Sequence, residues 1–182
     1  MTHDDKLRLL LYGPEVVNVQ CLPIFGADYE ELPELMEYML KVMKRCSSFG
    51  IAAPQVGVFK NFFVCEFLEF GVMGLVNPEV TRMFGKEEKY PESCLSLPPV
   101  GNQCPVPRME AVMVHAALVE TPDVEKDFKF TGADARLVQR ELDHLTGTFF
   151  IDRVGDKQKR EVLEKYQHWK LQWEMAGRPF PY

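Results

Sequence analysis

The residues with the most chemical content lie in one short stretch, QRELDHLTG, residues 139–147. Glu141 and His144 are three apart and Arg140 is four before His144, so on a helix they share a face. Histidine at residue 140 would complete H-E-x-x-H, in which two imidazoles grip a metal and the glutamate beside them moves a proton. The chain has arginine there. A guanidinium offers no lone pair and stays protonated. The stretch is therefore either a metal site short of one ligand or a helical face that never held a metal. Two other blocks carry reactive types. ESCLS, residues 92–96, presents Cys94, and SFGIAAPQVG, residues 48–57, is a small-residue run holding Gln55. Taken singly, the three blocks read as a solvated helical face, a buried inert thiol and a turn.

The positioning elements follow from periodicity. Asp134–Leu145 reads as the helix that carries the first stretch, stopped at Gly147. Tyr29–Cys46 is the clearest helix, with Leu32, Leu35, Met36, Met39, Leu40, Met43 and Cys46 on its apolar stripe and Pro33 in its first turn. That methionine-rich stripe reads as core. Short strand-like runs follow at Asn61–Phe67, Gly74–Asn77, Ala111–Glu120 and Lys126–Phe130. His115, on the third, reads as a packed or solvent-facing residue. Pro91–Arg108 has five prolines in eighteen residues and reads as a fixed, extended loop. A last helix spans Asp156–Met175, with Val162, Leu163, Tyr166, Trp169 and Trp173 on its apolar stripe. The two tryptophans read as anchors onto the body of the domain.

The whole chain, residues 1–182, is of a length for a single domain with a real core. Its net charge of −6 points away from nucleic acid. No apolar run is long enough to cross a bilayer, so no membrane role is expected. Five cysteines, an odd number without C-x-x-C, read as free thiols in a reducing compartment. The start, MTHDDKLRLL, reads as neither a signal peptide nor an acid-poor transit peptide, and the expectation is an intracellular protein.

Taken together, in this order, the three blocks resemble the motifs of the peptide deformylase family: G-x-G-x-A-A-x-Q, E-G-C-L-S and Q-H-E-x-D-H. Here they stand as Ser48–Gln55, Glu92–Ser96 and Gln139–His144. Val76-Asn77-Pro78-Glu79, Val106-Pro107-Arg108, Ala135-Arg136 and FFIDR at 149–153 extend the match from about residue 8 to about 173. The resemblance implies an α+β fold: a central helix bearing the third motif, flanked by antiparallel sheets, with a C-terminal helix. It implies removal of the formyl group from the N-terminal formyl-methionine of new polypeptides, in a bacterial cytoplasm or a translating organelle such as a mitochondrion or plastid. It also implies a divalent metal (iron, zinc, nickel or cobalt). By resemblance, Cys94 and His144 fall at two ligand positions and Arg140 at the third. Glu141 matches the general acid/base, and Gln55 and the backbone N–H of Leu95 match the oxyanion donors. Gly50 and Ile51 would border the substrate cleft, Leu137 would line the methionine pocket, and Glu92 would pair with Arg108 to hold the cysteine segment beside that cleft. The implied partners are N-formylated peptides or nascent protein N-termini.

Those roles make physical sense together. A bound metal lowers the pKa of its water, a nearby carboxylate shuttles the proton, and two aimed donors stabilise the oxyanion. Three departures bear on them: Arg140, and serines at 48 and 93 where the family has glycine. Two unit charges about 4 Å apart repel by roughly 4 kcal/mol at an effective dielectric near 20, and a dication feels about twice that. Arg140 therefore opposes metal binding as well as withholding a ligand. Alternatively it takes the metal's place and supplies its charge, with Cys94 thiolate and Glu141 as partners. The sequence thus supports a deformylase with impaired metal-dependent activity, or an inactive relative that binds peptides or partner proteins. A metal-independent hydrolase with Cys94 as nucleophile, activated by Arg140 and His144, is the third reading.

Overall fold

The computed structural model describes residues 9–98 and 104–177. Along it run α1 (Asp28–Arg45), β1 (Gly50–Ala52), a 3-10 turn (Ala53–Val56), β2 (Phe62–Phe67), β3 (Gly71–Glu92) and β4 (Cys104–Leu118). Then come β5 (Thr121–Thr131), α2 (Gly132–Leu145), a second 3-10 turn (Phe150–Arg153) and α3 (Asp156–Met175). The strands form one antiparallel meander in the order β1-β2-β3-β4-β5. The α+β architecture expected from the resemblance is present, with α2 packed on four of the five strands.

The sheet corrects the sequence reading in two places. The strand expected at Gly74–Asn77 runs from Gly71 to Glu92. Its second half is polar and exposed, so it carries no burial alternation for the eye to find. The proline-rich segment read as a loop is ladder at its two ends, residues 91–92 and 104–108, and outside any strand at 93–98: Pro91 stands opposite Pro105, and Lys89 opposite Pro107. The prolines are tolerated because this stretch has a neighbour on one side alone. Pairing of β4 with β5 begins at Ala111, and pairing of β2 with β3 reaches only Val76. In such a ribbon alternate N–H groups point away from the partner strand, and Pro105 and Pro107, two apart, share one phase. Residues 99–103, within that segment, lie outside the described residues. Shifts of register at three places along the β3–β4 ladder bend the ribbon away from a flat sheet.

Buried side chains hold these elements together. Phe63, Cys65, Leu75, Val112, Val114 and Phe130 meet Ala135, Val138 and Leu145 of α2. On the other side of the sheet, Leu32, Met39, Val42 and Met43 of α1 pack on Ile51, Phe62, Val64 and Val76. The methionine stripe is core, as its spacing indicated. Val162 and Tyr166 of α3 join Phe149, Phe150, Cys94 and Cys104, with Trp169 beside them. The Tyr166 hydroxyl donates to Tyr12 O at 3.0 Å. All five cysteines are free thiols. Among the described residues no helix is long and apolar enough to cross a membrane.

Candidate active site

α2 is unusual for a helix in the middle of a fold. Asp134, Gln139, Glu141, Asp143 and His144 are all buried. Buried polar groups require partners, and most of these are occupied in fixing the helix. Asp134 accepts from the backbone N–H groups of Leu68 and Glu69 at 3.0 and 3.3 Å. Gln139 exchanges hydrogen bonds with both Met109 backbone groups, at 3.0 and 2.9 Å, and so clamps α2 to β4. Asp143 takes Arg108 Nη1 at 2.6 Å and Arg153 Nη2 at 2.5 Å. Arg108 in turn grips Glu92 in a bidentate pair, at 2.8 and 2.9 Å. Glu92 is two residues before Cys94, so this chain of ion pairs fixes the cysteine segment against α2. At the end of α2, Gly147 takes φ +64°, and a Cβ there would strike the backbone of Asn18 and Val19.

With the scaffold set, Cys94, Glu141 and His144 come together although fifty residues separate the first from the last. Cys94 Sγ lies 3.3 Å from His144 Nε2. Gln55, in the turn after β1, directs Nε2 at Cys94 Sγ (3.5 Å) and Ser96 Oγ (3.2 Å), while its Oε1 accepts from Ala52 N–H. Leu95 follows Cys94 in the same turn, and its side chain packs on the core cluster around Ile51. Ile51 is itself wholly buried, in the cluster that α1 covers. Gly50, its neighbour, sits against α2: a Cβ on it would lie 2.7 Å from Glu141 Oε1 and 2.9 Å from Leu137 Cδ1. Absence of a side chain at 50 is what lets β1 approach the helix.

Arg140 reaches toward Glu141 and β1. Its Nε and Nη2 donate to Glu141 Oε1 at 2.8 and 2.6 Å, Nη1 to Ser93 O at 3.4 Å, and Nη2 to Gly50 O at 3.5 Å. The Arg–Cys–Glu cluster expected from charge replacement is thus only half formed, because Cys94 bonds to His144. Among the described residues, two buried side-chain atoms have no hydrogen-bond partner: Glu141 Oε2 and His144 Nδ1.

The charges follow from this burial. Burial pushes the Cys94 thiol up to about 12, against the pull of Arg140. Burial, and then the charges of Arg140 and Arg108, push the His144 imidazole down to about 3. Both groups are therefore neutral at pH 7, which leaves a thiol–imidazole contact and removes support from the reading of Cys94 as an activated nucleophile. Burial also raises the Glu141 carboxyl, with Arg140 opposing. Burial pulls the Arg140 guanidinium down, but the charge and hydrogen bonds of Glu141, together with Cys94 and Cys65, outweigh it and raise its pKa, so the arginine stays charged.

A metal of the family's type was tested against these side chains. Typical Zn–S and Zn–N bonds of about 2.3 and 2.1 Å put two tetrahedral donors roughly 3.6 Å apart. The Cys94–His144 separation of 3.3 Å suits such a pair. The third position holds a guanidinium, and Glu141 Oε1 is committed to it. No group of three or more His, Cys, Asp or Glu side chains placed to hold a metal occurs among the described residues. The donor set therefore falls one ligand short and does not fit a divalent metal.

Beside the site opens a cleft of about 320 Å³, lined by Phe49, Leu68, Pro91, Ser93, Leu137 and Arg140 among others. Glu92 also borders it, and Phe49 and Leu68 are exposed at its rim. Sequence spacing had not indicated Phe49 or Leu68, since lone exposed apolar residues carry no periodic signal.

The model of the polypeptide deformylase family matches residues 6–160. The chain belongs to this family. A peptide deformylase from Dictyoglomus thermophilum is 38% identical over 145 residues, covering 80% of this chain and 90% of that protein. Among solved structures, a peptide deformylase from Thermus thermophilus superposes with a TM-score of 0.81 at 29% identity, covering 93% of this chain and 98% of the other. One from Synechococcus elongatus, in complex with actinonin, gives 0.78 at 33% identity, covering 87% and 85%. Deformylase chemistry in the family uses a divalent metal, so the missing third ligand is a departure of this chain from its own family.

Proposed function

We propose that this chain acts on the formyl-methionine end of new polypeptides, the substrate of its family, with metal-dependent turnover impaired by Arg140. The observation that carries this reading is the convergence of Gln55, Cys94, Glu141 and His144 behind Arg140, which lines the neighbouring cleft, in a chain of deformylase fold. In this reading Leu137, Phe49 and Leu68 take the methionine side chain, and Gly50 and Ile51 offer backbone groups to the peptide. Gln55 Nε2 and the Leu95 N–H are the donors for the formyl oxygen, which would require Gln55 to leave Ser96. Glu141 is the proton carrier, provided Arg140 releases it. Cys94 and His144 would be the two donors this chain offers to a metal, and Arg140 withholds the third. The compartment consistent with this substrate is one that makes formylated proteins.

The Arg140–Glu141 ion pair favours a second reading, binding of N-termini without turnover. A formyl-methionyl peptide incubated anaerobically with the protein and iron(II) separates the two. Slow formate release that increases at least about tenfold in Arg140→His supports impaired deformylation; a tenfold change corresponds to about 1.4 kcal/mol. Saturable peptide binding with no formate from either protein supports the second reading. Neither binding nor turnover would dismiss both.

A further inference from the structure

The three departures from the family's motifs are scattered in sequence, at 48, 93 and 140, yet they touch one another through two backbone carbonyls. Ser48 Oγ donates to Gly50 O at 2.9 Å. Gly50 O also lies 3.5 Å from Arg140 Nη2. Ser93 O accepts from Arg140 Nη1 at 3.4 Å. The same guanidinium holds Glu141 Oε1 with two nitrogens. Four of the five guanidinium N–H groups are thereby directed at acceptors drawn from β1, the cysteine segment and α2. Two of these, the cysteine segment and α2, are the elements that a metal held by residues 94, 140 and 144 would tie together.

We propose that Arg140, seated by the Ser48 hydroxyl and the backbone carbonyl of residue 93, is the resident cation of this centre and excludes a divalent metal, so that the chain holds its cleft together metal-free. Several details fit. The arginine side chain is largely buried, 18% exposed, although a long cation beside an open cleft is free to extend into water. Its partners are a carboxylate and two carbonyls, all acceptors, as a cation requires. The side chain at 48 anchors the carbonyl that flanks the guanidinium, a role glycine cannot fill. Gly50 remains glycine because a Cβ there would collide with the Glu141 oxygen that Arg140 grips. Finally, Cys94 and His144 satisfy each other across 3.3 Å and leave no pair of free donors facing the arginine.

The test needs no substrate, so its failure is distinct from failure of the peptide reading. The purified full chain is titrated with cobalt(II) under anaerobic conditions, reading thiolate-to-cobalt absorption, metal retained after desalting, and Tm with cobalt or with EDTA. The expected result for the natural chain is no thiolate band, only trace metal, and a Tm that neither reagent moves. Arg140→His should take up stoichiometric cobalt with the thiolate band and gain Tm on loading. Ser48→Gly, which keeps the arginine but removes the hydroxyl that anchors the Gly50 carbonyl, should lower Tm and admit more cobalt than the natural chain. Stoichiometric cobalt with the thiolate band in the natural chain overturns the proposal, and so does a folded Arg140→His that stays empty. A Ser48→Gly variant identical to the natural chain in both readouts overturns the seating role. Should Arg140→His fail to fold, the response of the natural chain to cobalt and EDTA still decides between the two.

Discussion

Replacing Arg140 with methionine isolates what the guanidinium does for the fold. Glu141 is fully buried, Oε1 takes two arginine nitrogens at 2.6 and 2.8 Å, and Oε2 has no partner. Removing the cation leaves a carboxylate with no donor named for either oxygen. At 2.6 Å, unit charges attract by about 6 kcal/mol at an effective dielectric near 20. Part of that is already lost to solvent at the partly exposed arginine and to desolvation of both groups. Breaking one side of a buried pair costs about 3–5 kcal/mol, and that is the expected loss. For a domain of this size it corresponds to a fall in Tm of roughly 6–20 °C. Urea unfolding followed by the fluorescence of Trp169 and Trp173 measures it. Arg140→Met combined with Glu141→Gln removes the stranded charge and should recover more than half of the loss. The pH dependence has a definite sign. With arginine gone, burial acts on the carboxyl without its main opponent and raises its pKa further. The native state then binds a proton that the unfolded state has released, so stability falls as pH rises above the unfolded carboxylate value of about 4.3. The penalty should be smaller at about pH 5 than at about pH 8. A single variant within about 1 kcal/mol of the natural chain at both pH values would refute the reasoning, since that is the size of a solvated surface pair.

Other perturbations probe the rest of the scaffold. Arg108→Ala strands the buried Glu92 and leaves buried Asp143 with Arg153 alone, and should cost about 3 kcal/mol by urea unfolding. Gly50→Ala pushes a methyl against Glu141 Oε1 and Leu137 Cδ1, at 2.7 and 2.9 Å, and overpacking of this kind should cost about 1–3 kcal/mol. His115, at the surface between Asp127 and Glu125, has its pKa raised above 6.5, first by the hydrogen bond to Asp127 and then by that to Glu125. Its ion pairs therefore stabilise the β4–β5 hairpin fully below pH 6.5 and are lost as pH rises through the folded-state value. NMR titration should give a value above 6.5 that drops toward it in Asp127→Asn; an unchanged value in that variant rules out the cause assigned.

Much of this protein is legible from residue order alone. The apolar stripes of α1, α2 and α3 repeat at helical spacing, and local periodicity survives without knowledge of the partner surface. The motif residues of the third block share a helical face because four residues span nearly one turn. The arginine at 140 announces its chemistry by type: it cannot ligate a metal in any conformation. The extent of β3 and β4 was not legible, because a two-sided exposed ribbon needs no alternation and its prolines argue for a loop. Pro105 and Pro107 fit only because β5 starts pairing further along, at Ala111. The partners of buried charge were not legible either. Arg108 joins Glu92 and Asp143 across separations of sixteen and thirty-five residues, and Arg140 meets the carbonyls of Gly50 and Ser93. Sequence types say which groups are charged. Which charges leave water together, and whether the arginine turns to Glu141 or to Cys94, depends on where the packed strands and α2 place them, and that is decided only in three dimensions.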